Sequence, residues 1–126
     1  MRRPSSLAEV AAWAESREAF SYHFADFLDQ FYLERRREML TEEPRRLEGR
    51  IEEGNVADAY LAATAVALAR EIHVNPPSWA WQESRKLRTP WFASQGNAVR
   101  ATLLAESPAP FRERNLFVSE NALSRA

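Results

Sequence analysis

Cysteine is absent from this 126-residue chain, and only three glycines occur in it. Without cysteine there can be no disulfide, no thiolate zinc site and no cysteine nucleophile, a pattern that fits a reducing compartment. So few glycines cannot furnish a phosphate-cradling loop, and neither GxGxxG nor GxSxG occurs. Neither sign of charge is in excess: 17 basic residues face 18 acidic ones, for a formal net charge of -1. No global attraction to nucleic acid or to an anionic membrane follows from that balance. Long apolar runs are missing as well. The opening MRRPSSLAEVAAWAE has the arginines of a signal peptide, but Glu9 and Glu15 break its apolar stretch. No segment reaches the roughly 18 apolar residues of a membrane span. A cytoplasmic protein is expected.

Catalytic and metal chemistry is equally thin. The two histidines, His23 and His73, stand outside any HExxH arrangement. His23 and Asp26 are three apart on one helical face, which suits a local hydrogen bond better than a metal site. The paired carboxylates Glu42-Glu43 and Glu52-Glu53 lie in polar connections, where they stay solvated and ionised. No serine is marked as activated. The sequence therefore predicts a non-enzyme with no catalytic residue, cofactor or metal.

What is present is a helical pattern. With 45% hydrophobic and 28% charged residues, the chain reads as one globular domain over 1–126. Ser6 and Glu9 form a capping box that opens a helix burying Leu7, Val10, Ala11 and Ala14, with Trp13 at its flank. Phe20, Phe24, Phe27, Leu28 and Phe31 fall on one helical face, predicting a single long helix that ends before Thr41. Residues 41–55 read as a polar connection, with Asn55 capping the next helix. That alanine-rich helix is apolar nearly all round: Val56, Tyr60, Ala63, Ala67 and Ile72 share a face, widened by Leu61 and Leu68. It should be central. Thr89-Pro90 reads as a helix start, and Ser107-Pro108 repeats the device. Val99, Leu103 and Leu104 form the expected buried set of the helix after Asn97. Ser119 should cap a last short helix holding Leu123, and Leu116–Val118 is the one strand candidate. The predicted fold is all-α: a compact single-domain bundle of five or more helices with no substantial sheet.

The segment EIHVNPPSWAWQ concentrates the functional interest. Pro76-Pro77 ends the preceding helix and holds the chain semi-extended. Spacing by two then places Trp79 and Trp81 on opposite sides, one inward and one outward. Trp91, with Phe92 beside it, is the better core anchor. Arg85, Lys86 and Arg88 lie close in sequence to these rings. Aromatic and basic residues together suit a protein interface or stacked single-stranded bases, and buried aromatics also fill cores. Trp79, Trp81, Arg85 and Arg88 are the partner-binding candidates. A second basic cluster, residues 35–37 with Arg45, Arg46 and Arg50, is interleaved with glutamates and reads as a salt-bridged, solvated face.

DAYLAATAVALAREIHVNPPSWAWQ, RTPWFAS and LLAESPAPFRERNLFVSENALSRA together resemble an uncharacterised helical module of bacterial proteins. That module often follows a Cro/repressor-type helix-turn-helix domain in regulators and antitoxin-like proteins. The resemblance covers roughly residues 20–126, and FRERNLFVSENALSRA is its most specific part. It implies an architecture and a context, but no catalytic residues. About twenty residues precede the module here, too few for a DNA-binding domain, so the resemblance implies a stand-alone version. The expectation is a non-enzymatic helical binding protein, antitoxin-like or regulatory, acting on an operon-encoded partner such as a toxin-like nucleotidyltransferase. The alternative is a nucleic-acid-binding transcriptional regulator using residues 35–37, Arg45, Arg46 and 85–88 on phosphates. A small enzyme of unrecognised type is a third.

Overall fold

The computed structural model describes residues 2–94 and 96–125. Among these, six helices and a single two-residue strand pair order the chain. The helices are α1 (Leu7–Trp13), α2 (Arg17–Glu34), α3 (Glu38–Thr41), α4 (Gly54–Glu71), α5 (Asn97–Glu106) and α6 (Ala109–Arg112). The strands are β1 (Trp91–Phe92) and β2 (Leu116–Phe117), and 3₁₀ turns occupy Ser78–Trp81 and Glu83–Arg85. The fold is thus mostly helical with a vestigial sheet.

Helix α1 begins at Ser6, whose hydroxyl accepts from the Glu9 amide at 3.1 Å. The Glu9 carboxylate does not return to Ser6, as a strict capping box requires. It accepts instead from the Ser5 amide and hydroxyl, both at 2.7 Å, and from Arg2. Burial opposes ionisation of Glu9, but those hydrogen bonds and the Arg2 charge together outweigh it and hold the carboxyl down at about 2. The inward residues of α1 are Leu7, Val10 and Ala11, with Ala14 just beyond its end. Ser16 caps α2 by accepting from the Ala19 amide at 3.0 Å. The predicted phenylalanine stripe is buried throughout, in one cluster with Leu61, Ala65 and Leu68 of α4.

The long helix predicted through Leu40 is broken. Helix α2 stops at Glu34 because Arg35 adopts a left-handed conformation, φ 49°. Continued helix would have carried Arg35 and Glu38 onto the buried stripe, four and seven residues after Phe31. The break keeps both in solvent and lets the short α3 turn Met39 and Leu40 into the core.

Asn55 is not the cap of α4. The helix starts one residue earlier, at Gly54, and Asn55 lies in its first turn. The side chain that organises this entrance is Asp58, which accepts from the amides of Leu47 at 2.7 Å and Glu48 at 3.1 Å. Helix α4 is central, as its composition predicts, with Leu61, Ala62, Ala63, Ala65 and Val66 fully buried. Helix α6 and the turn Ser78–Trp81 pack on it. Val56, Tyr60, Ala67 and Ile72 form its less buried side.

Three expectations fail in the last third. Thr89-Pro90 does not start a helix; Trp91 and Phe92 run extended and pair in parallel with Leu116 and Phe117. The Phe92 and Phe117 rings stack at 5.0 Å across this pair. Of the buried set expected for α5 only Leu103 is inside, while Val99 is 43% and Leu104 50% exposed, because α5 leans on β2 by one side alone. Ser119 opens a hydrogen-bonded turn where a helix was expected. That tail is held down nonetheless: the Leu123 carbonyl accepts from the Tyr32 hydroxyl at 2.9 Å, and Arg125 pairs with Asp29 at 2.9 Å.

Candidate functional site

Trp79 and Trp81 do separate into an inner and an outer ring, although on a 3₁₀ turn where extended chain was expected. At three residues per turn, positions two apart also point in different directions. Trp79 is only 5% exposed and its indole N–H donates to the Leu40 carbonyl at 3.2 Å. Arg85 is fully buried beneath it, the guanidinium carbon 4.9 Å from the ring centre. Arg85 donates to the carbonyls of Pro44 and Asp58, with the carboxylates of Glu43 at 3.6 Å and Asp58 at 4.0 Å. Burial pulls the Arg85 pKa down and the Arg46 charge adds to this, against the pull of Asp58 and Glu43.

This corrects the expected surface patch. Trp79 and Arg85 are structural: they tie the 78–85 segment to the Pro44 loop and to α4, and neither can reach a partner from its buried position.

Trp81 and Arg88 are the two candidates left at the surface. Trp81 is 46% exposed, and its ring covers Arg114, whose guanidinium carbon lies 5.4 Å from the ring centre. Arg114 is 1% exposed and donates to the carbonyls of Ala80 and Pro110, each at 2.7 Å. No ion pair is formed by it among the described residues, and its Nε has no partner. Burial lowers the Arg114 pKa, Glu113 opposes this, and Arg70 adds to it. The sequence offered no signal for this residue, since its partners are backbone carbonyls.

Arg88 borders an open cleft of about 900 Å³ together with Lys86 and Trp91. Glu48, Glu83 and Glu113 share the lining, and Lys86 is paired with Glu83 at 3.0 Å. Three carboxylates thus face two cations, so the cleft gives no phosphate a net attraction. Trp91 is half-buried at the rim and donates to Glu53 at 3.1 Å, a shallower anchor than its place beside Phe92 suggested.

Four of the other arginines of interest, Arg35, Arg36, Arg45 and Arg46, are engaged within the chain. Arg45 donates to the carbonyls of Ala11 and Ala12 at the end of α1. Arg46 donates to Gln82 and Ser84, Arg35 pairs with Glu71, and Arg36 with Glu34. His23 packs edge-on against Trp13 at 5.6 Å and makes no bond to Asp26. Among the described residues no three His, Asp or Glu side chains gather as a metal site, and no helix is long and apolar enough to cross a membrane.

No protein-family model matches the chain, and no curated protein or solved structure is significantly similar to it.

Proposed function

We propose that this chain is a non-enzymatic helical binding protein, an antitoxin-like or regulatory partner of an operon-encoded protein, which docks through Trp81, with the exposed Arg88 as the second candidate contact. One observation carries the reading. Trp81 presents a large exposed ring that is held from below by a buried, hydrogen-bonded arginine. Tryptophan is the residue type most enriched among interface hot spots. A ring already fixed in place loses less conformational entropy on binding than a mobile one. The cytoplasm is the expected setting, and a toxin-like nucleotidyltransferase is the partner class to test first. The nucleic-acid alternative draws less support, because Arg45, Arg46 and Arg85 are bonded within the fold.

The test is co-purification of the chain with the product of the adjacent gene, for the wild type and for Trp81→Ala. Partner affinity should fall by about 2 kcal/mol or more, the hot-spot threshold, while the chain stays folded. Undiminished retention by Trp81→Ala would sink the docking assignment. A salt-dependent shift of DNA mobility would favour the regulator.

A further inference from the structure

A second cavity shares Trp91 with the charged cleft but differs from it in character. It measures about 340 Å³ and is walled by Phe24 and Leu28 of α2, Tyr60 of α4 and Trp91 of β1. The C-terminal strap closes one side with Ala122, pinned there by the Arg125–Asp29 pair. Its rim is organised by Glu53, which accepts from Arg17 and from the Trp91 indole, both at 3.1 Å.

Tyr60 is the informative residue. Its ring is fixed edge-on between Phe24, at 5.2 Å, and Phe111, at 5.0 Å. Its hydroxyl makes no hydrogen bond to any described residue, and unlike Thr64 Oγ1 it is not sealed within the protein. A phenol that reaches the cavity without a protein acceptor keeps its donor for whatever enters, and one such neutral hydrogen bond is worth about 0.5–1.5 kcal/mol net. From the aromatic walls, the volume and this free donor, we infer that the cavity binds an uncharged one- or two-ring aromatic molecule, whose acceptor oxygen accepts a hydrogen bond from the Tyr60 hydroxyl. The volume is at the lower end for small-molecule sites, which run from about 300 to 1,000 Å³. The rim arginines already have carboxylate partners, Arg17 with Glu53 and Arg125 with Asp29, so they do not select an anion. Burial pushes the Tyr60 hydroxyl up to about 12, which keeps it a donor through the neutral range.

The probe is Prodan, a two-ring uncharged fluorophore with a ketone oxygen, titrated into the full chain. Saturable binding at one site per chain with blue-shifted emission is expected. Tyr60→Phe keeps both ring contacts and should weaken binding about three- to tenfold, the worth of one neutral hydrogen bond. Binding of 2-dimethylaminonaphthalene, which lacks the ketone, should be insensitive to Tyr60→Phe. Ala25→Leu, on the lining of the cavity at a half-buried helical position, should reduce Prodan affinity at least tenfold while circular dichroism stays unchanged. Absence of saturable binding, or wild-type affinity in either variant, overturns the inference. So does a concentration-dependent dimer that excludes Prodan, which would make a second copy the occupant. Retention of the protein partner by Tyr60→Phe and Ala25→Leu would separate this site from the Trp81 surface.

Discussion

Arg114 lies beneath Trp81 with its guanidinium carbon 5.4 Å from the ring centre, so a buried cation supports an exposed aromatic. Trp79 and Arg85 repeat the pairing at 4.9 Å inside the fold. Each arginine also bonds backbone carbonyls from distant segments: Arg85 reaches Pro44 and Asp58, and Arg114 joins Ala80 to Pro110. The proline-marked segment is therefore stapled at two points, Ala80 and Arg85, by buried cations.

If Arg114 is such a staple, Arg114→Ala should lower unfolding stability by about 2–4 kcal/mol. Charge-assisted hydrogen bonds are worth about 1.5–3 kcal/mol each and the side chain's packing is lost with them, offset in part because the desolvation of a buried, unpaired charge is relieved. Arg114→Lys should recover little, because an ammonium lacks the planar fork that spans both carbonyls. Urea denaturation measures this, and Trp81 should become more mobile in both variants. Equal stability of Arg114→Lys and wild type would show that charge alone is what matters there.

Phe27 is fully buried and in tilted contact with Phe31 at 6.0 Å. Phe27→Ala should destabilise the chain by about 3–5 kcal/mol, the range for deleting a large core aromatic. A melting temperature within a degree of wild type would mean that this stripe does not face the core.

The stripe was legible because five large residues repeat at helical spacing, and nothing but burial explains that repeat. The break after it was harder to see, since Met39 and Leu40 keep the composition apolar. The signal was negative, in the form of Arg35 and Glu38 at positions where the stripe demanded apolar residues. Trp91 and Phe92 could not announce a strand, because two residues are too few to show period-two alternation. Exposure of Val99 and Leu104 depends on how little of the fold reaches α5, and no local pattern encodes that. At the candidate site, the inward and outward tryptophans followed from their spacing. The arginine beneath Trp81 did not, because it lies in a distant tail and bonds only main chain.

Glu9 makes the fold's stability sensitive to acid. Its folded pKa, about 2, lies below the ordinary 4.5. A depressed carboxylate contributes stability that is fully present above its unfolded pKa and is lost as the pH falls through the folded one. The loss should therefore run from about pH 4.5 down to about pH 2. Arg2 is largely exposed, so solvent screening limits the contribution to about 1 kcal/mol. Glu9→Gln should match wild type near pH 2 and fall below it at pH 6. Parallel melting curves for the two proteins across that window would show that the carboxylate carries no net stabilisation.

Gly54 is fixed by space, which reverses the usual effect of replacing a helical glycine. In an open helix, alanine is favoured over glycine by about 1 kcal/mol. At Gly54 an added Cβ would lie 2.0 Å from the Leu47 carbonyl oxygen and 2.8 Å from the Glu48 nitrogen. Both obstacles are backbone, and both belong to the loop that Asp58 holds through the Leu47 and Glu48 amides. The loop cannot retreat without stretching those bonds. Gly54→Ala should therefore destabilise by about 3 kcal/mol, at the upper end of overpacking costs. Gly49 supplies the contrast, with open space around it but a φ of +80°. There the cost is conformational, about 1–2 kcal/mol for alanine, and asparagine should recover part of it. Urea midpoints for Gly54→Ala, Gly49→Ala and Gly49→Asn measure the three together. A stabilised Gly54→Ala would mean that the loop packs less tightly on the start of α4 than its distances require.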